Sequence, residues 1–255
     1  MSAWREALRA MRMQIVVGVW VGTLVLVLLG VLWLQIPDSH VWEFVVSILF
    51  ACGLLVLFFW FYCWVFRTML KPWEEERWWL RWVLLAAVIV AWWLLQIPID
   101  RLMEHRALYA GYWTSRLPHW LRGLRTYEHL VVLQSWLYFS LRLVVTGLLL
   151  PLAVVAGSSP LRESTGRIFG VWSRWWYWAA ALVCGWVAFD ITGQLMDWTP
   201  GHGLTGEILS LFLRLGFVFT LDVLLACFVL AVIVVGLGRG VVSPSLSDPN
   251  QRSVS

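Results

Sequence analysis

Leu34-Gln35-Ile36-Pro37 closes one long apolar run, and the same four residues, Leu95-Gln96-Ile97-Pro98, close a second. Each run holds roughly 20 residues, enough for a helix rising about 1.5 Å per residue to cross a hydrocarbon core of about 30 Å. Proline has no N–H and frees the carbonyl four residues back, so each helix is expected to stop at its Gln-Ile-Pro, where water or headgroups satisfy that carbonyl. Acidic residues follow both times, Asp38 and Glu43 after the first copy, Asp100 and Glu104 after the second. The repeat therefore reads as a hairpin unit, in which one helix leaves the apolar layer and a partner returns.

Composition extends this reading to the whole chain. With 61% hydrophobic and 13% charged residues, and with the apolar residues gathered in spans of membrane length, a soluble domain is excluded. The 21 Trp cluster at the ends of the runs, as in Trp78, Trp79 and Trp82 or Trp175, Trp176 and Trp178, where amphipathic rings favour the headgroup layer. A net charge of +4 with no basic stripe on a soluble domain suits anionic lipid and excludes nucleic acid. Lys71 is the sole lysine and Asn250 the sole asparagine, a bias read as that of a GC-rich bacterial genome.

Working outward from the repeat, six spans are predicted at about 13–36, 41–66, 77–98, 128–156, 168–191 and 205–237. Residues 1–240 are thus expected to form one polytopic all-α integral membrane domain, a six-transmembrane-helix bundle of three antiparallel hairpins. In the third stretch between spans, about 100–127, Leu117, Trp120, Leu121 and Leu124 fall at i, i+3, i+4 and i+7. Arg116, His119, Arg122 and Arg125 take the other faces, which predicts an amphipathic helix lying in the interface. Pro72 followed by Glu74, Glu75 and Glu76 reads as a helix start. Residues 241–255 have no apolar pattern and are expected to be a disordered cytoplasmic tail. The first run, preceded by Arg5, Arg9 and Arg12, is too long for a signal peptide and is read as a retained helix. Gly18 and Gly22 on it form a small-xxx-small pattern that favours close helix packing within the chain.

Basic residues bias loops toward the cytoplasm. With both termini inside, the inner segments hold Arg5, Arg9, Arg12, Arg67, Lys71, Arg77, Arg81, Arg162, Arg167, Arg174, Arg239 and Arg252, twelve in all, against five arginines in the outer 100–128 stretch. The expected location is the bacterial cytoplasmic (inner) membrane, N-in and C-in.

Catalytic signatures are missing. The chain has no Gly-x-Ser-x-Gly, no His-Glu-x-x-His and no glycine-rich phosphate loop. The Glu pairs within 74–76 lack the arginine, and the later Phe-x-x-x-His, of intramembrane CAAX-type proteases. His40, His105, His119, His129 and His202 all fall in or beside outer loops, so no axial ligand for haem lies deep in a span, and no cofactor or metal is expected. Cys52, Cys63, Cys184 and Cys227 fall inside spans and read as small buried hydrophobes.

What remains are polar groups at membrane depth, which face a bundle interior or a watery cavity. Ser135, Tyr138, Arg142 and Thr146 lie at helical spacing on the fourth span, Asp190 near the exit of the fifth, and Arg214 and Asp222 on the sixth. Measured as depth from Glu128 and Glu207, Arg142 and Asp222 share a level and are predicted to pair, with Arg214 nearer Asp190. The expected function is that of a non-enzymatic accessory or scaffold subunit of a membrane assembly, with membrane lipids, other membrane subunits or a second copy as partners. The alternative is a transporter or lipid-handling permease with a polar site among the fourth to sixth spans.

Overall fold

A computed structural model describes residues 3–37, 40–70, 78–116, 127–158, 161–197 and 204–239. Among them every regular element is α-helical: α1 (Ala3–Ala10), α2 (Met13–Leu34), α3 (Val41–Leu70), α4 (Trp78–Glu104), α5 (Arg106–Arg116), α6 (Tyr127–Ser158), α7 (Leu161–Trp172), α8 (Trp175–Asp197) and α9 (Leu204–Arg239). Six of these, α2, α3, α4, α6, α8 and α9, are long and apolar enough to cross a membrane. The glutamates of 74–76, the amphipathic pattern of 117–125 and the 241–255 tail lie outside the described residues.

The two Leu-Gln-Ile-Pro copies meet different fates. At the first, α2 ends at Leu34, Gln35 N–H turns to the Leu32 carbonyl and Ile36 N–H to that of Trp33. Three residues beyond Pro37, α3 is prepared by His40, whose N–H donates to Glu43 Oε2 at 3.0 Å, half of a capping box. At the second copy the expected stop fails, for α4 runs through Pro98 to Glu104. Proline removes one ladder bond, and a helix held by lateral packing survives that loss; α4 has its broadest contact with α6. Asp100 is consequently a helix residue and not a loop residue.

A second boundary also differs. The fifth span, expected from about 168, is divided into α7 and α8 by a break at Ser173-Arg174. Arg174 Nη1 donates to the Gly236 carbonyl at 3.1 Å, Trp178 Nε1 to the Trp172 carbonyl at 2.8 Å, and Tyr177 N–H to the Arg174 carbonyl. The polar groups freed by the break thus find partners on the last turns of α7 and α9.

Burial gathers at one end of the bundle. Phe61, Val65 and Phe66 of α3, Val154 and Val155 of α6, Tyr177 and Ala180 of α8 and Ala231, Val232 and Ile233 of α9 are buried together. Trp4 of α1 stacks on Phe228 of α9 with centroids 5.8 Å apart, closing this end. At the opposite end Val41, Phe44 and Leu49 of α3 and Leu209, Phe212 and Leu213 of α9 are exposed. Small residues set how closely the backbones approach: a Cβ on Gly22 would collide with the Phe61 ring, whereas one on Gly18 would meet Trp64 at an ordinary 3.8 Å. The small-xxx-small pattern is therefore used within the chain, between α2 and α3. Cys63, Cys184 and Cys227 are buried and Cys52 is exposed; all four are free thiols.

Candidate functional site

Four helices bring matched faces around one cleft. α6 contributes Phe139, Leu143, Thr146, Gly147 and Leu150, and α9 contributes Asp222, Leu225, Ala226, Val229 and Leu230, each set at helical spacing. α8 presents its small residues, Ala181, Cys184, Gly185, Ala188, Thr192 and Gly193, and α3 closes the side with Tyr62 and Phe66. The open cleft has a volume of about 770 Å³, within the range of about 300–1,000 Å³ typical of ligand pockets. It exists because α8 has so little side chain there, while large residues hold the helices apart on either side. At one end Trp136 stacks on Trp186 at 4.3 Å and Phe139 meets Phe189 at 4.1 Å.

Among the described residues the lining is apolar except for a few groups, of which Asp222 is the only charged one. Its Oδ1 is buried and accepts no hydrogen bond among the described residues. A carboxylate oxygen in apolar surroundings is costly unless a donor meets it or the group is protonated. The cleft therefore offers an apolar volume with one carboxyl group that calls for a hydrogen-bond partner or a proton.

Beside the cleft, a proline has been accommodated by a side chain from another helix. Pro151 lies inside α6 and cannot donate to the carbonyl four residues back, which belongs to Gly147. Tyr177 of α8, fully buried, donates its hydroxyl to that Gly147 carbonyl at 2.5 Å. The absence of a Cβ on Gly147 admits Trp178, whose ring would lie 2.8 Å from one. Glycine, tyrosine and proline thus fix the α6–α8 contact that forms the cleft wall.

The polar residues picked from the sequence fall apart into separate local roles. Arg142 does not pair with Asp222; its Nη2 forms an ion pair with Asp100 Oδ1 on α4. The depth ruler failed because it placed Asp100 outside the helix, beyond Pro98. Thr146 donates to the Arg142 carbonyl at 2.8 Å and accepts from Trp92 Nε1 at 3.0 Å, a second polar link between α4 and α6. Ser135 turns back to the Val131 carbonyl at 2.9 Å, and Tyr138 is half-buried on the same helix. Asp190 is exposed and accepts from Gln194 Nε2 at 2.8 Å, while Arg214 donates to the carbonyls of Leu195 and Ser210 at 3.2 and 3.3 Å. Arg214 thereby holds α9 to the end of α8, the helix that carries Asp190.

Of the polar residues singled out in the sequence, Asp222 and Thr146 line the cleft, and Asp222 is the charged one of the two. The stripe of Ala181, Cys184, Gly185, Ala188 and Thr192 was the sequence signal for the rest: small residues at i, i+3, i+4, i+7 and i+11 leave a helix face hollow. Comparison with protein families, with curated proteins and with solved structures returns no match.

Proposed function

We propose that this chain is an integral membrane protein that handles an apolar, lipid-class molecule, held in the α3–α6–α8–α9 cleft with its hydrogen-bond donor, an amine or hydroxyl, on Asp222. The observation that carries this reading is the bare Asp222 oxygen on an otherwise apolar cleft of about 770 Å³. Arg142 has no part in it, being occupied by Asp100.

The topology proposed with it is three antiparallel hairpins, α2 with α3, α4 with α6 and α8 with α9, in the inner membrane of a bacterium with both termini inside. Contact registers support the pairing. Along α2 and α3, Gly22 lies against Phe61 and Trp33 Nε1 donates to Ser47 Oγ at 3.0 Å, so one number rises as the other falls. The same holds for Trp92 with Thr146 and Asp100 with Arg142, and for Arg174 with Gly236 and Leu195 with Arg214. Orientation rests on the twelve inner arginines and lysine counted above.

A test is to purify the protein in mild detergent, extract it with organic solvent and identify the extract by mass spectrometry. Wild type should yield a stoichiometric amphiphile that is depleted from Ala188→Trp, which fills the cleft, and from Asp222→Leu, both with unchanged elution on size exclusion. Identical extracts from all three proteins reject the reading. The accessory-subunit reading draws support from the outer half of α3, where Val41, Trp42, Phe44, Val45 and Leu49 are all exposed. A defined partner protein retained through purification, with no cleft ligand, would favour it.

A further inference from the structure

The opposite face of α3 carries a second cavity, distinct in chemistry from the cleft. Trp60, Trp64 and Arg67 lie at i, i+4 and i+7 on α3 and line a space of about 340 Å³ together with Arg81 and Trp82 of α4 and Gly157 of α6. Tyr62 and Phe66, which face the cleft, project from the other side of the same helix. Two guanidinium groups therefore border one small cavity walled by indoles, at the arginine-rich end of the bundle. Arg81 is buried to 6% exposure, and Arg67 is half-buried.

Two guanidinium groups on the wall of one cavity are a matched set of donors for an anion's oxygens. Each guanidinium has five N–H donors in a planar fork, so a contact with the chain on one edge leaves another edge for a phosphate. Trp60 and Trp64 are 51% and 46% exposed on the outer flank. Their position between the charges and the apolar surface of α3 is that of interfacial rings, with room for acyl chains alongside.

We propose that Arg67 and Arg81 bind the phosphate of an anionic phospholipid, with Trp60, Trp64 and Trp82 against its glycerol and upper acyl chains. Basic pockets between helices at the cytoplasmic side are a recurrent form of such recognition. The site does not depend on the cleft or on Asp222.

The test uses the full chain in nanodiscs of phosphatidylcholine with or without phosphatidylglycerol, ejected and weighed by native mass spectrometry. Wild type should retain phosphatidylglycerol in preference to phosphatidylcholine. Arg67→Gln should weaken that retention by about tenfold or more, the worth of one charge-assisted contact, with its melting temperature in pure phosphatidylcholine unchanged. Arg67→Lys should keep part of the preference. Equal retention of the two lipids by wild type overturns the proposal without need of any variant, as does full phosphatidylglycerol retention by Arg67→Gln. Inorganic phosphate at millimolar concentration should not reproduce the thermal stabilisation given by phosphatidylglycerol; if it does, the site recognises free phosphate and the lipid assignment fails.

Discussion

Tyr177→Phe removes a single oxygen from a fully buried ring and leaves the ring in place. The lost hydroxyl is the donor to the Gly147 carbonyl, at 2.5 Å, and Pro151 has no N–H to take its place. An unsatisfied buried acceptor costs about 1–3 kcal/mol. At roughly 2–4 °C per kcal/mol for a chain of this size, the melting temperature should fall by roughly 2–12 °C. The diagnostic is a second background. In Pro151→Ala the backbone N–H of residue 151 returns to the Gly147 carbonyl, so Tyr177→Phe should then cost much less. The coupling energy across the double-mutant cycle should be about 1 kcal/mol or more, measured by detergent unfolding followed by tryptophan fluorescence and near-ultraviolet circular dichroism. If Tyr177→Phe costs the same in both backgrounds, within about 0.5 kcal/mol, the hydroxyl does not stand in for the missing N–H and the reasoning is refuted.

Arg142→Leu strands the Asp100 carboxylate in a contact 35% and 47% exposed and should cost about 1–3 kcal/mol, between the values for surface and buried pairs. The exchange Arg142→Asp with Asp100→Arg should recover part of it in the same unfolding assay, whereas Asp222→Asn should add to it without coupling. Gly22→Ala drives a Cβ into the Phe61 ring and should destabilise by about 1–3 kcal/mol; Gly30→Ala, whose Cβ meets nothing within 4 Å, should be silent or slightly stabilising. A cysteine placed at His40 should be labelled in intact cells by a membrane-impermeant maleimide and one placed at Glu75 only after permeabilisation, and labelling of both in intact cells rejects the hairpin topology.

The six long helices were legible because an apolar run of membrane length has few other uses. Their ends were less so, since a local signal decides an end only where no neighbour overrides it. Identical Leu-Gln-Ile-Pro sequences end a helix at Pro37 and fail to at Pro98, the second lying on the helix with the broadest contact in the fold. The break at Ser173-Arg174 is set by carbonyls on α7 and α9 that no linear pattern announces. For the site, ionisable residues in apolar runs drew attention to Asp222, which lines the cleft, but pairing them by depth misassigned Arg142. Depth gives one coordinate of three, and the rotation of each helix, which points Arg142 to α4 rather than α9, is fixed by packing. The cleft is a property of small residues on α8 meeting large ones on α6 and α9, so it emerges only when those faces are assembled.

The claim that the cleft holds an amphiphile on Asp222 is tested most directly by photolabelling in vesicles. A long-chain alkylamine with a diazirine at the chain end is irradiated with the protein, and the adducts are mapped by mass spectrometry. Adducts should concentrate on Leu143 and Leu150 of α6 and Leu225 and Val229 of α9, and should fall sharply in Asp222→Leu. Adducts spread instead over Val25 and Leu28 of α2 and Leu49 of α3, all exposed, and unchanged in Asp222→Leu, would contradict it.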